Sequence, residues 1–347
     1  MLRKPNRLLI LTATALVTAL VGYTAYWFVL AGEAREGIAR WSQNWRAEGY
    51  SVSHAEPDLS GFPLSLRASI AAPSVGGGGG ETAWRWSGEG ISASLRPWDL
   101  STIRLRIEGS HEITVGEAGE RRYELDAASA VATVSLGAGD RVERIDATFA
   151  AFEVREDRWT EPLRIGRLRI EGTGYHRAGA GARATDIALV VGDAALPVAP
   201  QGPLGRTIAR VRADVTILGT FPERPLEAAM AAWRDDGGTV ELRGLVIRWG
   251  PLDLSADGTL ALDSELRPIG ALSASIAGVD EAVASLLAEG SIGAAEAAAM
   301  RVAFNLFARI TSSAGDRLNV PITAQDGRIF VGPVAVARVG PLTAAGS

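Results

Sequence analysis

The chain of 347 residues contains no cysteine. No disulfide can staple it and no lipid can be attached through a thiol, so stability must come from burial and sheet hydrogen bonding. Lys4 is the only lysine, and no basic block follows the N-terminal tail. A formal net charge of −5 argues against nucleic acid as a partner. Histidines number three, His54, His111 and His176, and none has a second histidine at metal-ligand spacing. His111-Glu112 lacks the later histidine of a zinc-binding helix, and no Gly-x-Ser-x-Gly elbow occurs. Gly76 to Gly80 is an unbroken glycine run, but no Gly-Lys-Ser/Thr follows to make a phosphate loop; it reads as a flexible hairpin connection. His54-Ala-Glu-Pro-Asp58 reads as ordinary exposed loop. No catalytic residue, cofactor or metal site is therefore expected. A carboxylate pair brought together by folding is the one catalytic arrangement that 40 acidic residues leave open.

What the chain does have begins with Leu8 to Ala31, a stretch without a charged residue. As a helix at about 1.5 Å per residue it reaches roughly 36 Å, enough to cross a hydrocarbon core of about 30 Å. Arg3, Lys4 and Arg7 precede it and the first later charge is Glu33. Retention of positive charge in the cytoplasm predicts an N-in anchor with the body of the chain outside. Tyr23, Tyr26 and Trp27 sit where amphipathic rings suit the outer interface. A cleaved signal peptide shares the basic start, but its apolar region is usually about 7–15 residues, and Val29-Leu30-Ala31 is a weak cleavage signal. Either way the body is exported. Abundant alanine and glycine, with arginine in place of lysine, look like a GC-rich bacterial genome, which is a statement about coding rather than function. The expected location is a bacterial inner membrane, single-pass and N-in, with the main domain in the periplasm.

The domain plan is a cytoplasmic tail and transmembrane anchor over 1–31, a juxtamembrane helix over 32–49, an exported β-rich domain over 50–340 and a tail over 341–347. Near 220 is the place for a division into two sub-units. In the juxtamembrane helix Ala34, Ile38, Trp41 and Trp45 share one face and Gly49 is its stop. Packing of Trp41 and Trp45 on the β domain is favoured over contact with lipid headgroups.

Leu64, Leu66, Ala68 and Ile70 alternate with Ser65, Arg67 and Ser69, the pattern of a half-buried strand; Gly61 permits a bend before it and Pro63 fits only its start or edge. Period-two alternation continues through 82–220, as antiparallel sheets with one wet face require. Arg104-Leu-Arg-Ile-Glu-Gly109 recurs as Arg167-Leu-Arg-Ile-Glu-Gly172, by duplication of a β unit or by convergence, with Leu105, Ile107, Leu168 and Ile170 assigned to the inner face. Short helices are predicted near 225–234 and from an Asp280 N-cap to Ala288. A longer helix is predicted over 294–310, with Met300, Phe304, Phe307 and Ile310 as its apolar stripe. Asp257-Gly258 and Asp326-Gly327 read as tight turns. The fold class is thus mainly β with a minor α component: an N-terminal transmembrane helix, then antiparallel, curved sheets with a few packed helices.

The tryptophan-bearing helix, the extended segment after it and the Gly61-Phe62-Pro63 lead-in to a strand resemble the proteobacterial domain-of-unknown-function family numbered 2125. So do Trp249-Gly-Pro-Leu252, Asp257-Gly258, Asp326-Gly327 and Gly332-Pro-Val334, taken in that order. More loosely, the chain resembles anchored envelope proteins of the AsmA-like kind. The first resemblance carries no catalytic residues; the second implies a part in envelope lipid handling. The expectation is a non-enzymatic envelope protein that binds or conducts lipid along an apolar sheet face, with Leu64, Leu66, Ile70, Phe304 and Phe307 as candidate groove residues. The alternative is a scaffold that docks another envelope protein. The expected partners are the membrane, through a single anchor, and a lipid or an envelope protein.

Overall fold

An uncharged apolar run too long for a buried strand satisfies its own backbone hydrogen bonds as a helix, and the chain opens with one. In the computed structural model, described over 7–80, 83–116, 120–139, 141–176, 183–197, 204–220, 222, 226–288, 292–295, 297–298, 301–302, 317–332 and 334–342, helix α1 runs from Arg7 to Ala47 without a break. The stretch expected to be an anchor and the helix expected after it are one rod. Its end is chemically defined: Gly49 takes φ 93°, its N–H donates to the Arg46 carbonyl, and the Tyr50 N–H donates to the Trp45 carbonyl. Those two bonds, with the Tyr50 ring 4.9 Å from that of Trp45, form a Schellman stop with its apolar contact. Among the described residues, α1 is the one helix long and apolar enough to cross a membrane.

The chain forms two compact units, Met1–Arg122 and Tyr123–Ser347. Position 220, where a division was expected, falls inside the second.

In the first unit α1 is joined by β1 (Ser51–Ser53), β2 (Asp58–Ser60), β3 (Leu66–Ala71), β4 (Ser74–Gly77), β5 (Trp84–Arg96) and β6 (Asp99–Val115). Strands β3 and β4 share the same flank of the long β5, pairing with its two halves, while β6 pairs antiparallel with β5. Strand β1 pairs with β4 and β2 with β3. The glycine run is only partly a connection: Gly76 and Gly77 belong to β4. A Cβ on Gly77 would lie 2.7 Å from the Tyr50 ring, so glycine makes the room in which that ring sits. Nor is His54 a free loop residue. Its ring lies 2.8 Å from the Ser42 hydroxyl of α1 and donates through Nδ1 to the Ala55 carbonyl, latching the helix to the sheet.

The second unit is an antiparallel meander in which each strand pairs with the next: β7 (Arg121–Leu136), β8 (Val142–Glu156), β9 (Leu163–His176), β10 (Arg183–Ala195), β11 (Thr207–Leu218), β12 (Thr239–Trp249), β13 (Leu252–Leu262), β14 (Pro268–Ala277), β15 (Leu318–Gln325), β16 (Arg328–Val331) and β17 (Val334–Arg338). Helix α2 (Leu226–Asp235) sits between β11 and β12, and α3 (Val279–Ala288) follows β14. The core of this unit is Ala256, Ala274, Ile276, Leu318 and Val320, with Val279 of α3 packed on it. Trp233 pins α2 by donating to the Leu218 carbonyl at 2.8 Å.

Two local readings need correcting. Asp257-Gly258 is not a hairpin; β13 runs straight through it. Gly258 is required there because a Cβ would stand 2.3 Å from the Ala271 carbonyl oxygen of β14. Helix α3 starts at Val279, one residue before the expected cap, and the Ala282 N–H donates to the Gly278 carbonyl. Asp280 and Glu281 then lie in the first turn, where carboxylates complement the helix dipole. The expected turn at Asp326-Gly327 is present, with φ of 50° and 68°.

Candidate functional site

The residues that fold the sheets also make two apolar faces. In the first unit the register places Leu66, Ala68 and Ile70 of β3 beside Leu95, Ala93 and Ile91 of β5. Ala93 and Ile91 in turn lie beside Leu105 and Ile107 of β6. One side of this face is closed by α1. Trp27 and Ala31 are buried against Leu66, which is only 2% exposed, and Trp27 Nε1 donates to the Ser65 carbonyl at 3.0 Å. The other side is open: Leu105 is 38% and Ile107 41% exposed. They share the face of Ala93 and Ile91, as the alternation implies, but they are not core, because no helix among the described residues lies over β6 as α1 lies over β3.

In the second unit the register carries one face across neighbouring strands. Ile145, Ala147 and Phe149 of β8 meet Gly172, Ile170 and Leu168 of β9. These meet Ile187, Leu189 and Val191 of β10, which meet Val215, Ala213 and Val211 of β11. The face continues through Leu245 and Ile247 of β12 to the core under α3. From β8 to β11 none of these residues is buried: Ile145 is exposed and the others are half-buried. Where α3 lies on the sheet the same face becomes a closed core; over β8–β11 it does not.

The opposite face is wet and charged. Arg169 contacts Asp146 at 2.7 Å and Glu171 at 2.8 Å, Arg164 contacts Glu153 at 3.1 Å, and Arg212 contacts Asp214 at 2.9 Å. The hydrogen bond to Asp146, then the charges of Asp146 and Glu171, raise the Arg169 pKa; the bond to Asp214 does the same for Arg212. These pairs are solvent-exposed and contribute little stability each. They do ensure that this face stays in water, so the sheet is amphipathic across its thickness.

No arrangement on the described residues draws three or more His, Asp or Glu side chains into a metal-binding group. His111 is buried and stacked 5.6 Å from Trp86 with an interplanar angle of 6°. It covers Gly88 across the strand pair, where a Cβ would fall 1.9 Å from Nδ1. It fills a glycine gap as an aromatic plate. A recess of about 490 Å³ opens on β12–β15, lined by Arg243, Asp257, Ser273, Ser275 and Asn319 among others.

The candidate groove residues do not come together. Leu66 is sealed beneath Trp27, Leu64 stands exposed on the loop before β3, and Ile70 is half-buried on β3. Phe304 and Phe307, like Met300 and Ile310, lie outside the described residues. Gly61, Phe62 and Pro63 form the loop that docks on α1: Phe62 lies 5.5 Å edge-on to Trp27 and 6.4 Å from Phe28. Trp45 meets Tyr50 at a tilt, 4.9 Å between ring centres, and Tyr50 meets Trp84 of β5 likewise, whereas Trp41 meets the Trp45 ring and stays 43% exposed. The residues overlooked as site candidates are those of β8–β11, whose alternation was visible but whose lack of cover was not.

An antiparallel, amphipathic β meander behind an apolar N-terminal helix defines the class of protein. The family model described as "Uncharacterized protein conserved in bacteria (DUF2125)" matches residues 27–340, and the chain belongs to that family. No curated protein and no solved structure matches the chain.

Proposed function

We propose that the protein is anchored in the bacterial inner membrane by α1, N-terminus inside and β units in the periplasm, and that it binds or conducts phospholipid along the apolar face of β8–β11 without catalysing a reaction. The observation that carries this reading is the half-buried state of Ile170, Ile187, Leu189, Val191 and Val211 on neighbouring strands. Water contact with apolar surface costs about 25 cal/mol per Å², so a contiguous unclosed face favours an apolar occupant. Acyl chains suit it because the face is long, lined by aliphatic side chains and backed by a charged surface that stays in water. The looser resemblance to AsmA-like envelope proteins points the same way.

Native mass spectrometry of the full chain, extracted in mild detergent, tests this. Co-purifying phospholipid that is lost on Leu189→Glu or Ile170→Glu, with the circular dichroism spectrum unchanged, supports lipid binding. Lipid-free protein accompanied by one stoichiometric envelope protein would replace it with the scaffold role.

A further inference from the structure

We infer that the Gly61–Ser65 loop and the Pro97–Trp98 turn form a membrane-docking surface, and that its partner is the lipid of the leaflet where α1 emerges. This rests on the reading of α1 as the anchor.

Both loop tips are held against the last turns of the uncharged stretch. The Tyr23 hydroxyl donates to the Pro63 carbonyl, Tyr26 donates to the Pro97 carbonyl at 2.7 Å, and Trp27 donates to the Ser65 carbonyl at 3.0 Å. At about 1.5 Å per residue, Tyr23 and Trp27 lie roughly 23 and 29 Å along the helix from Leu8. A hydrocarbon core is about 30 Å thick. The two tips therefore lie level with the outer edge of the bilayer, beside the anchor.

Their chemistry suits that place. Backbone groups near lipid must find partners inside the protein. Pro63 and Pro97 have no N–H to satisfy, and three carbonyls of the tips are capped by side chains of α1. The Gly61 loop is closed by the Ser65 N–H donating to the Gly61 carbonyl at 3.0 Å; Gly61 takes φ 99°, and a Cβ there would lie 2.5 Å from Ser65 Oγ. The closed loop turns Leu64 outward at 69% exposure, while Trp98 projects at 61% from the buried Pro97. Phe62 and Leu100 are exposed as well, and Phe62 lies 6.4 Å from the exposed Phe28 of α1. Arg96 and Asp99, paired across the β5–β6 turn, flank Trp98 and hold it at headgroup depth, where an indole ring is most at home. A water-facing role would leave this apolar cluster and three capped carbonyls without a reason.

The absence of cysteine makes each engineered thiol unique. Full-length Leu16→Cys, Leu64→Cys, Trp98→Cys and Arg144→Cys, labelled with an environment-sensitive fluorophore, are reconstituted in phosphatidylcholine–phosphatidylglycerol vesicles containing spin-labelled lipid. Leu16 reports the anchor and Arg144, exposed on β8 on the same face as Asp146, the water-facing control. The expected result is blue-shifted, quenched emission at Leu16, Leu64 and Trp98 but not at Arg144, with deep spin labels acting best on Leu16 and shallow ones on Leu64 and Trp98. Quenching at Leu16 alone would overturn the docking surface and leave the anchor standing. No quenching at Leu16 would overturn the anchor and this inference with it.

Discussion

Leu64 and Leu66 stand two residues apart, and by alternation alone they belong to one face. Their fates in the structure are opposite. Leu66 is 2% exposed and forms one buried cluster with Trp27 and Ala31, against which Leu30, Ala34, Leu59 and Leu95 pack; Leu64 is 69% exposed. Truncating Leu66 to Ala removes about three carbons, worth roughly 2 kcal/mol at about 0.8 kcal/mol per group. The hole beneath the rigid indole adds a cavity cost, giving about 2–5 kcal/mol in all. Leu64→Ala removes the same atoms from a surface and should stay within about 0.5 kcal/mol. The assay is guanidinium unfolding of the full chain in mild detergent, followed by tryptophan fluorescence, because α1 supplies the cover over Leu66. A neutral Leu66→Ala, or equal losses at both positions, would refute the closed packing of β3 against Trp27.

Gly258→Ala should destabilise by about 1–3 kcal/mol, since its Cβ meets the Ala271 carbonyl, whereas Gly192→Ala in β10, with open space around it, should be close to neutral in the same unfolding assay. Burial raises the Asp263 pKa, but the backbone N–H and guanidinium of Arg267 and the N–H of Glu265 outweigh it and hold the carboxyl below its ordinary value. Its stabilisation is therefore full above the usual carboxylate range and is lost as pH falls through the lowered pKa. Unfolding midpoints of wild type and Asp263→Asn should differ at neutral pH and converge in acid; parallel curves would contradict the turn geometry. Charge reversal at Arg104 and Arg106, both exposed on β6, should change stability by no more than about 0.5 kcal/mol. A reporter active only outside the cytoplasm, fused after Ser347, should be active; silence would reverse the orientation.

Local chemistry determined a good deal of this protein from its sequence. An uncharged run of 24 residues is too long for a buried strand and makes a helix, Gly49 stops it, and period-two alternation makes strands whose polar side faces water. The family was legible too, in the order of its short motifs. What only the tertiary structure decided was neighbourhood. Asp-Gly is a turn at 326–327 and strand interior at 257–258, and the difference is the approach of Ala271, which is distant in sequence. The two Arg-Leu-Arg-Ile-Glu-Gly copies differ likewise: Gly109 takes a positive φ of 74° over Glu89, while Gly172 lies in regular strand. Alternation says which side chains share a face, but cover comes from another element. Trp27 closes Leu66, α3 closes Ala256, and over β8–β11 the described residues bring no such element, so the same kind of strand is core in one place and open apolar surface in another.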